Sequence, residues 1–140
     1  MAKEKKIPNK RKKPSRKSIV TKLDAFFSKY IRLRNAKGGI ATCYTCGKKD
    51  HWKKLQNGHF MSRRHYSTRW DETNCQVQCY GCNVGMQGNQ YIFGLKLNAD
   101  YGESTSEELM HQSRQIRKFT DAELLEMIEH YKKLVNKLNG

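Results

Sequence analysis

Between Ser18 and Lys37 the apolar residues recur at intervals of three and four. Leu23, Phe26, Phe27, Tyr30 and Ile31 therefore share one face, and that period predicts an amphipathic helix. Thr21 or Ser18 can cap its start, and Gly38-Gly39 can end it. Ile40 to Cys46 is short and β-prone. A further strand is expected over His51 to Leu55, delivering Gln56-Asn57-Gly58-His59-Phe60. Residues 61–73 read as a polar, basic loop. Weak strand character returns at Cys75–Gln78. A helix is expected from Gly81 or Cys82, broken near Gly85 or Gly88 and resumed from Asn89 to Leu97. Two capping boxes follow, Ser104 to Glu107 and Thr120 to Glu123. The first predicts a short helix to about Gln115. The second predicts a longer one with Leu124, Leu125, Ile128, Tyr131, Val135 and Leu138 on one face. No internal repeat is present.

The 140 residues allow one domain with a modest core. No stretch approaches the roughly 18 apolar residues of a membrane span. The basic start is followed by no apolar run, so it does not read as a secretory signal. A cytoplasmic protein is expected. The formal charge of +15 is unevenly placed. Residues 1–17 hold nine Lys and Arg against one Glu, residues 18–97 thirteen against four acids, and residues 98–140 six against eight. Positive charge thus surrounds the cysteine-rich middle and suits a polyanion, with nucleic acid first among candidates. Residues 1–17, which carry Pro8 and Pro14, are expected to be a disordered arm, and 18–140 a single domain. The arm has three readings: a phosphate-binding tail, a solubilising tail, or an address read by a host.

Cys43-Tyr44-Thr45-Cys46 and Cys79-Tyr80-Gly81-Cys82 are CxxC pairs separated by 32 residues. Four soft thiolates suit a tetrahedral, closed zinc shell, which is structural rather than catalytic. Redox pairs would need a thioredoxin-like βαβ context, which is absent. Cys75, the fifth cysteine, reads as a small buried side chain.

His59 is the sharpest chemical candidate. A neutral imidazole has a pKa suited to activating water. Asn74 can accept the imidazole N–H and fix its tautomer, and Asn83 can offer a carbonyl oxygen to a hard divalent ion. A lone Gly-His-aromatic triplet is weak evidence. The order His59, Asn74, Cys79, Cys82, Asn83, threaded through the cysteine pairs, gives it weight. Arg63, Arg64 and Arg69 follow in the loop, where basic residues can bind DNA backbone. Trp52, Tyr66 and Trp70 can stack on bases, although packing is the commoner fate of Trp.

This arrangement resembles the HNH, or ββα-metal, nucleases with a zinc-binding treble clef, in a variant whose third residue is Asn. Gly58-His59-Phe60, Arg69 to Asn74, Gln78-Cys79 with Cys82-Asn83, and Gln87-Gly88-Asn89 resemble the phage NinG recombination proteins, also called Rap. The resemblance implies an α+β fold: a small zinc-stapled treble-clef or ββα-metal core with flanking N- and C-terminal helices. It also implies structure-specific cleavage of branched DNA such as Holliday junctions and D-loops. By resemblance His59 is the general base, Asn74 its orienting partner and Asn83 a metal ligand, with Asn57 and Asn89 as further candidate ligands of a magnesium or manganese ion. Many HNH sites carry an acidic ligand directly before the base, where this chain has Gly58. Related phage proteins carry Asp two residues further upstream, where this chain has Gln56. Either Asp71, Glu72 or another residue then supplies the charge, or the phosphate itself does most of the metal binding, or activity is weak. Expected partners are branched DNA, a second copy of the chain, and phage or host recombination proteins. The implied location is the host cytoplasm. A rival expectation is a zinc module that binds nucleic acid without cutting it; an inactive nuclease descendant used as a scaffold is a third.

Overall fold

The computed structural model describes residues 13–139. Most of the expected basic arm, residues 1–12, lies outside the described residues. Helix α1 spans Arg16–Leu33, so the arm's last two residues are already helical. Its cap is Ser15, whose Oγ accepts the N–H of Ser18 at 3.2 Å, and not Ser18 or Thr21 as expected. The helix stops five residues before Gly38-Gly39. Those glycines have φ of +57° and +80° and form the turn that lets Lys37 pair with Ile40.

Two small antiparallel sheets follow. Strand β1 (Ile40–Thr42) pairs with β2 (Lys49–His51), and β3 (Gln56–His59) pairs with β4 (Cys75–Gln78). The strand expected over His51 to Leu55 is instead mostly one 3-10 turn, Trp52–Lys54. His51 Nδ1 accepts the Lys53 N–H at 3.2 Å, a cap that favours the tight turn over extension. The loop expected over 61–73 contains a short helix α2, Tyr66–Arg69. Beyond β4 the chain makes one π-type turn over Gly81–Gly85, then helices α3 (Gln90–Tyr101), α4 (Thr105–Ser113) and α5 (Asp121–Asn139).

The main core lies between α1 and α5, the two longest helices. Leu23, Phe27 and Ile31 of α1 meet Leu124, Ile128 and Tyr131 of α5, with Trp70 and Cys75 beneath. Phe26 and Tyr30, expected on the apolar face, are only half-buried at its edge, as Leu125 and Leu138 of α5 are exposed. The capping box at α5 is complete: Thr120 Oγ1 accepts the Glu123 N–H at 3.1 Å, and Glu123 accepts the Thr120 N–H at 3.3 Å. The box expected at Ser104 is not made. There Asn98 of α3 accepts the Ser106 N–H at 2.8 Å, so a tertiary contact replaces the local one. Among the described residues no helix is long and apolar enough to cross a membrane. The result is a mixed helical and small-sheet architecture around a cysteine cluster.

Candidate metal centre and adjoining cleft

The turn between β1 and β2 carries Cys43 and Cys46. It closes through the Gly47 N–H on the Cys43 carbonyl, 3.0 Å, with Gly47 at φ +78°. Cys79 directly follows β4, and Cys82 lies in the π-type turn beyond it. The two segments are joined where the Tyr44 N–H donates to the Val77 carbonyl, 2.7 Å. The four Sγ atoms all lie within 4.8 Å of one another, and those of Cys46 and Cys79 are 3.7 Å apart. Zinc–sulfur bonds of about 2.3 Å in a tetrahedron require sulfurs roughly 3.8 Å apart, so the donor set fits a closed zinc shell. The Cys82 N–H donates to Cys79 Sγ at 3.4 Å, and Asn89 Nδ2 lies 3.8 Å from Cys82 Sγ. Such donors stabilise thiolates. Burial raises the Cys43 pKa, yet N–H groups of Cys79, Cys46 and Thr45 together with the Thr45 hydroxyl outweigh it and bring it down to about 6.

β3 and β4 leave the zinc site together and place His59 at one end, opposite Cys75. A cleft of about 730 Å³ opens there. His59, Asn57, Gln56, Asn83, Gln87 and Arg63 line it, and α1 contributes Asp24 and Ser28. His59 and Asn83 are thus brought to one cavity, although 23 residues separate them. The orienting partner of His59 is not Asn74. Its Nε2 is 3.0 Å from the backbone carbonyl of Arg69, which can only accept. The proton therefore sits on Nε2, and Nδ1 keeps its lone pair. Asn74, fully buried, is a brace for the loop after His59. Its Oδ1 accepts the Met61 N–H at 2.7 Å, while Nδ2 donates to the carbonyls of Met61 and Thr68, each at 3.1 Å. The amide is spent on backbone groups that would otherwise be buried unpaired.

Arg69 is committed in the same way. Its Nε donates to Asp24 Oδ1 at 3.1 Å, Nη2 pairs with Asp24 Oδ2, and Nη1 donates to the Arg63 carbonyl at 2.9 Å. Trp70 Nε1 adds a 2.9 Å bond to Asp24. Asp24 therefore holds the segment whose carbonyl orients His59. Burial pushes the His59 pKa below its usual value; the Arg69 carbonyl and Asp24 oppose that shift, and the Arg63 and Arg69 cations add to it. Arg69, expected at the DNA, is a strut. Arg63 and Arg64 are exposed, with Arg63 at the cleft.

The family comparison decides what kind of protein carries this arrangement. A family model described as the bacteriophage lambda NinG protein matches residues 1–140, the whole chain. The chain belongs to the NinG family. Among curated proteins and solved structures no significant match was found.

In this NinG chain the carboxylate expected from Asp71 or Glu72 is elsewhere. Asp71 Oδ1 accepts the N–H groups of Thr73 and Asn74, both at 2.9 Å, and Glu72 accepts the Tyr131 hydroxyl at 3.3 Å. Asp24 is the acid that lines the cleft, and sequence reasoning missed it. Its one signal was that no other acidic residue lies between Ser18 and Lys49. Asn89 faces the zinc cluster rather than the cleft. It closes a left-handed run: Gln87, Gly88 and Asn89 have φ of +50°, +93° and +49°. Two consecutive turns of unusual backbone, this one and the π-type turn, frame Asn83, and such geometry concentrates at working sites. Asn83 Nδ2 donates to Gln56 Oε1 at 2.7 Å, leaving its own Oδ1 for another partner. Asn57 Oδ1 is buried with no partner. Trp52 and Trp70 are buried and Tyr66 half-buried, so their rings pack.

Proposed function

We propose that this NinG-family chain is an HNH-type, metal-dependent endonuclease acting on DNA, and specifically on branched recombination intermediates. The observation that carries the reading is the meeting of His59, Asn57 and Asn83 in one cleft, with the His59 tautomer set by the Arg69 carbonyl. The β3–β4 pair followed by the Asn83 turn is read as the ββα-metal unit, and the two cysteine turns as its treble-clef zinc mount. Nδ1 of His59 takes a proton from water aligned with a phosphodiester, and Arg63 at the rim pairs with the neighbouring phosphate. Asn83 Oδ1 and the unpartnered Asn57 Oδ1 are hard oxygen donors that fit a magnesium or manganese ion. When bound, that ion supplies stabilisation of charge on the phosphate and the departing 3′ oxygen. Preference for branched DNA rests on the family; a two-fold junction is most simply cut by a symmetric pair of chains.

The test is cleavage of matched linear, flapped and four-way DNA in magnesium or manganese by the wild type and His59→Ala. Loss of about 10²-fold or more in rate, with zinc content and DNA affinity retained, is the expected result. With Asp24 engaged by Arg69 and Trp70, no free carboxylate among the described residues lines the cleft, which favours one second reading: a zinc module that binds DNA without cutting it. A wild type that binds all three substrates and cleaves none would establish that reading instead.

A further inference from the structure

A second cavity, of about 650 Å³, lies next to the cleft along α1 and is lined by Lys29, Arg32, His51, Trp52, Lys53 and Asn139. Among the described residues no carboxylate lines it. Arg32 is half-buried, and its Nε donates to the Ser28 carbonyl at 3.2 Å and to Ser28 Oγ at 3.1 Å. Its Nη1 reaches the Trp52 carbonyl at 3.4 Å. The three ion pairs among the described residues use Arg16, Arg69 and Arg117, so Arg32, Lys29 and Lys53 face this cavity without an acidic partner. Holding a guanidinium half out of water with no counter-charge is costly unless an anion joins it, and the fork of an arginine matches phosphate.

Two features say what the anion belongs to. Ser28 lines the cleft and accepts from Arg32, which lines the second cavity, so one helix forms a continuous wall for both. Four residues of helix rise about 6 Å, roughly the axial rise of two base pairs of duplex. Trp52 is 9% exposed, and its ring is covered by the Arg32 guanidinium at 5.1 Å and the Lys53 ammonium at 5.8 Å. No ring face is left for a base, so recognition is of backbone. We infer that this cavity is a phosphate seat for the DNA arm that leaves the cleft, with Arg32 at its centre and Lys29 and Lys53 at its sides. The inference rests on the DNA-binding part of the function proposed above and not on cleavage.

The experiment is fluorescence anisotropy with the full, zinc-loaded chain and duplex DNA across a salt series, without added magnesium. Arg32→Gln and the double variant Lys29→Gln/Lys53→Gln are compared with Lys132→Gln/Lys133→Gln, two exposed lysines of α5 that do not line the cavity. Each phosphate contact contributes about 0.9 to the slope of log affinity against log salt. The expected results are a slope lower by about 1 for Arg32→Gln and up to about 2 for the double variant, equal on unrelated sequences. The control should change it less, and zinc content should be unaltered. The double variant spares the Arg32–Trp52 contact, so it remains informative if Arg32→Gln folds poorly. Unchanged slopes in both cavity variants, or an equal drop in the control, would overturn the seat. So would calorimetry showing tight, Arg32-dependent binding of inorganic phosphate with DNA affinity unaffected. A chain that never cuts DNA yet shows the Arg32-dependent slope would keep the seat and remove the nuclease.

Discussion

Replacing Gly58 by Ala isolates one steric contact at the heart of the site. Gly58 does not need a positive φ, so an added methyl costs nothing in backbone conformation; by itself it would stabilise by roughly 0.4–1 kcal/mol through the unfolded chain. The packing dictates the opposite sign. A Cβ there would lie 2.6 Å from Gln78 Cδ and 2.8 Å from its Cγ, and closer still to its Oε1. Gln78 has no exposed surface. Its Nε2 donates to Thr45 Oγ1 at 3.0 Å, inside the first cysteine turn, and to the Gly88 carbonyl at 2.9 Å, inside the left-handed run. Displacing it sacrifices two buried hydrogen bonds, about 1–3 kcal/mol each, and overpacks the hairpin by about 1–3 kcal/mol. The net expectation for Gly58→Ala is destabilisation of about 2–8 kcal/mol, measured by urea unfolding of the zinc-loaded chain. Gln78→Ala should be destabilising too, but the double variant should recover about 1–3 kcal/mol relative to the sum. A Gly58→Ala protein within 0.5 kcal/mol of wild type, or strictly additive variants, would refute the reasoning. The same contact would meet any larger residue at position 58 unless position 78 changed as well.

Three further outcomes follow from the described contacts. Cys82→Ser should abolish cooperative unfolding and zinc retention, because structural zinc contributes about 10–16 kcal/mol against a total of about 5–15 kcal/mol for a small domain; a fully folded, metal-free variant by circular dichroism would contradict this. On the nuclease reading proposed above, Asp24→Asn should lower the cleavage rate with little change in DNA affinity, by loosening the Arg69 carbonyl that orients His59, and should cost about 1–3 kcal/mol of stability; an unchanged turnover would show that Asp24 does not act through Arg69. Because burial depresses the His59 pKa, its neutral form should persist below the ordinary value of about 6.5, so the acid limb of the rate profile should fall below that pH. The unfolded chain takes up this proton first, so His59 lowers stability as pH drops from about 6.5 toward the folded value; an NMR titration of His59 at or above 6.5 would reverse both statements.

What could be read in the residues depended on whether the signal was local. The cysteine pairs, the Thr120–Glu123 box and the α1 period are patterns within a few residues, and each appears in the structure with shifts only at its ends. His59 and Asn83 carried their meaning through order along the chain, and the cleft receives both. Asn74 was misread because orienting an imidazole and bracing a loop call for the same amide; only coordinates show that the Arg69 carbonyl took the first task. Arg69 likewise has the same chemistry as a free DNA contact, and its capture by Asp24 spans 45 residues. Asp24 belongs to no local motif; only its contacts with Arg69 and Trp70 single it out. The Ser104 box failed for the converse reason, since a neighbouring helix supplied the cap through Asn98.

The cleft wall built by α1 is held in place mainly by α5. On a ribosome, therefore, the cysteine turns can close around their metal while the wall bearing Asp24 and Ser28 still lacks its support. Only when the segment through Tyr131 has emerged does that wall acquire its apolar partner. If the chain is the nuclease proposed above, the wall of its cleft is completed only after α5 has been made, later than the cysteine turns that mount it.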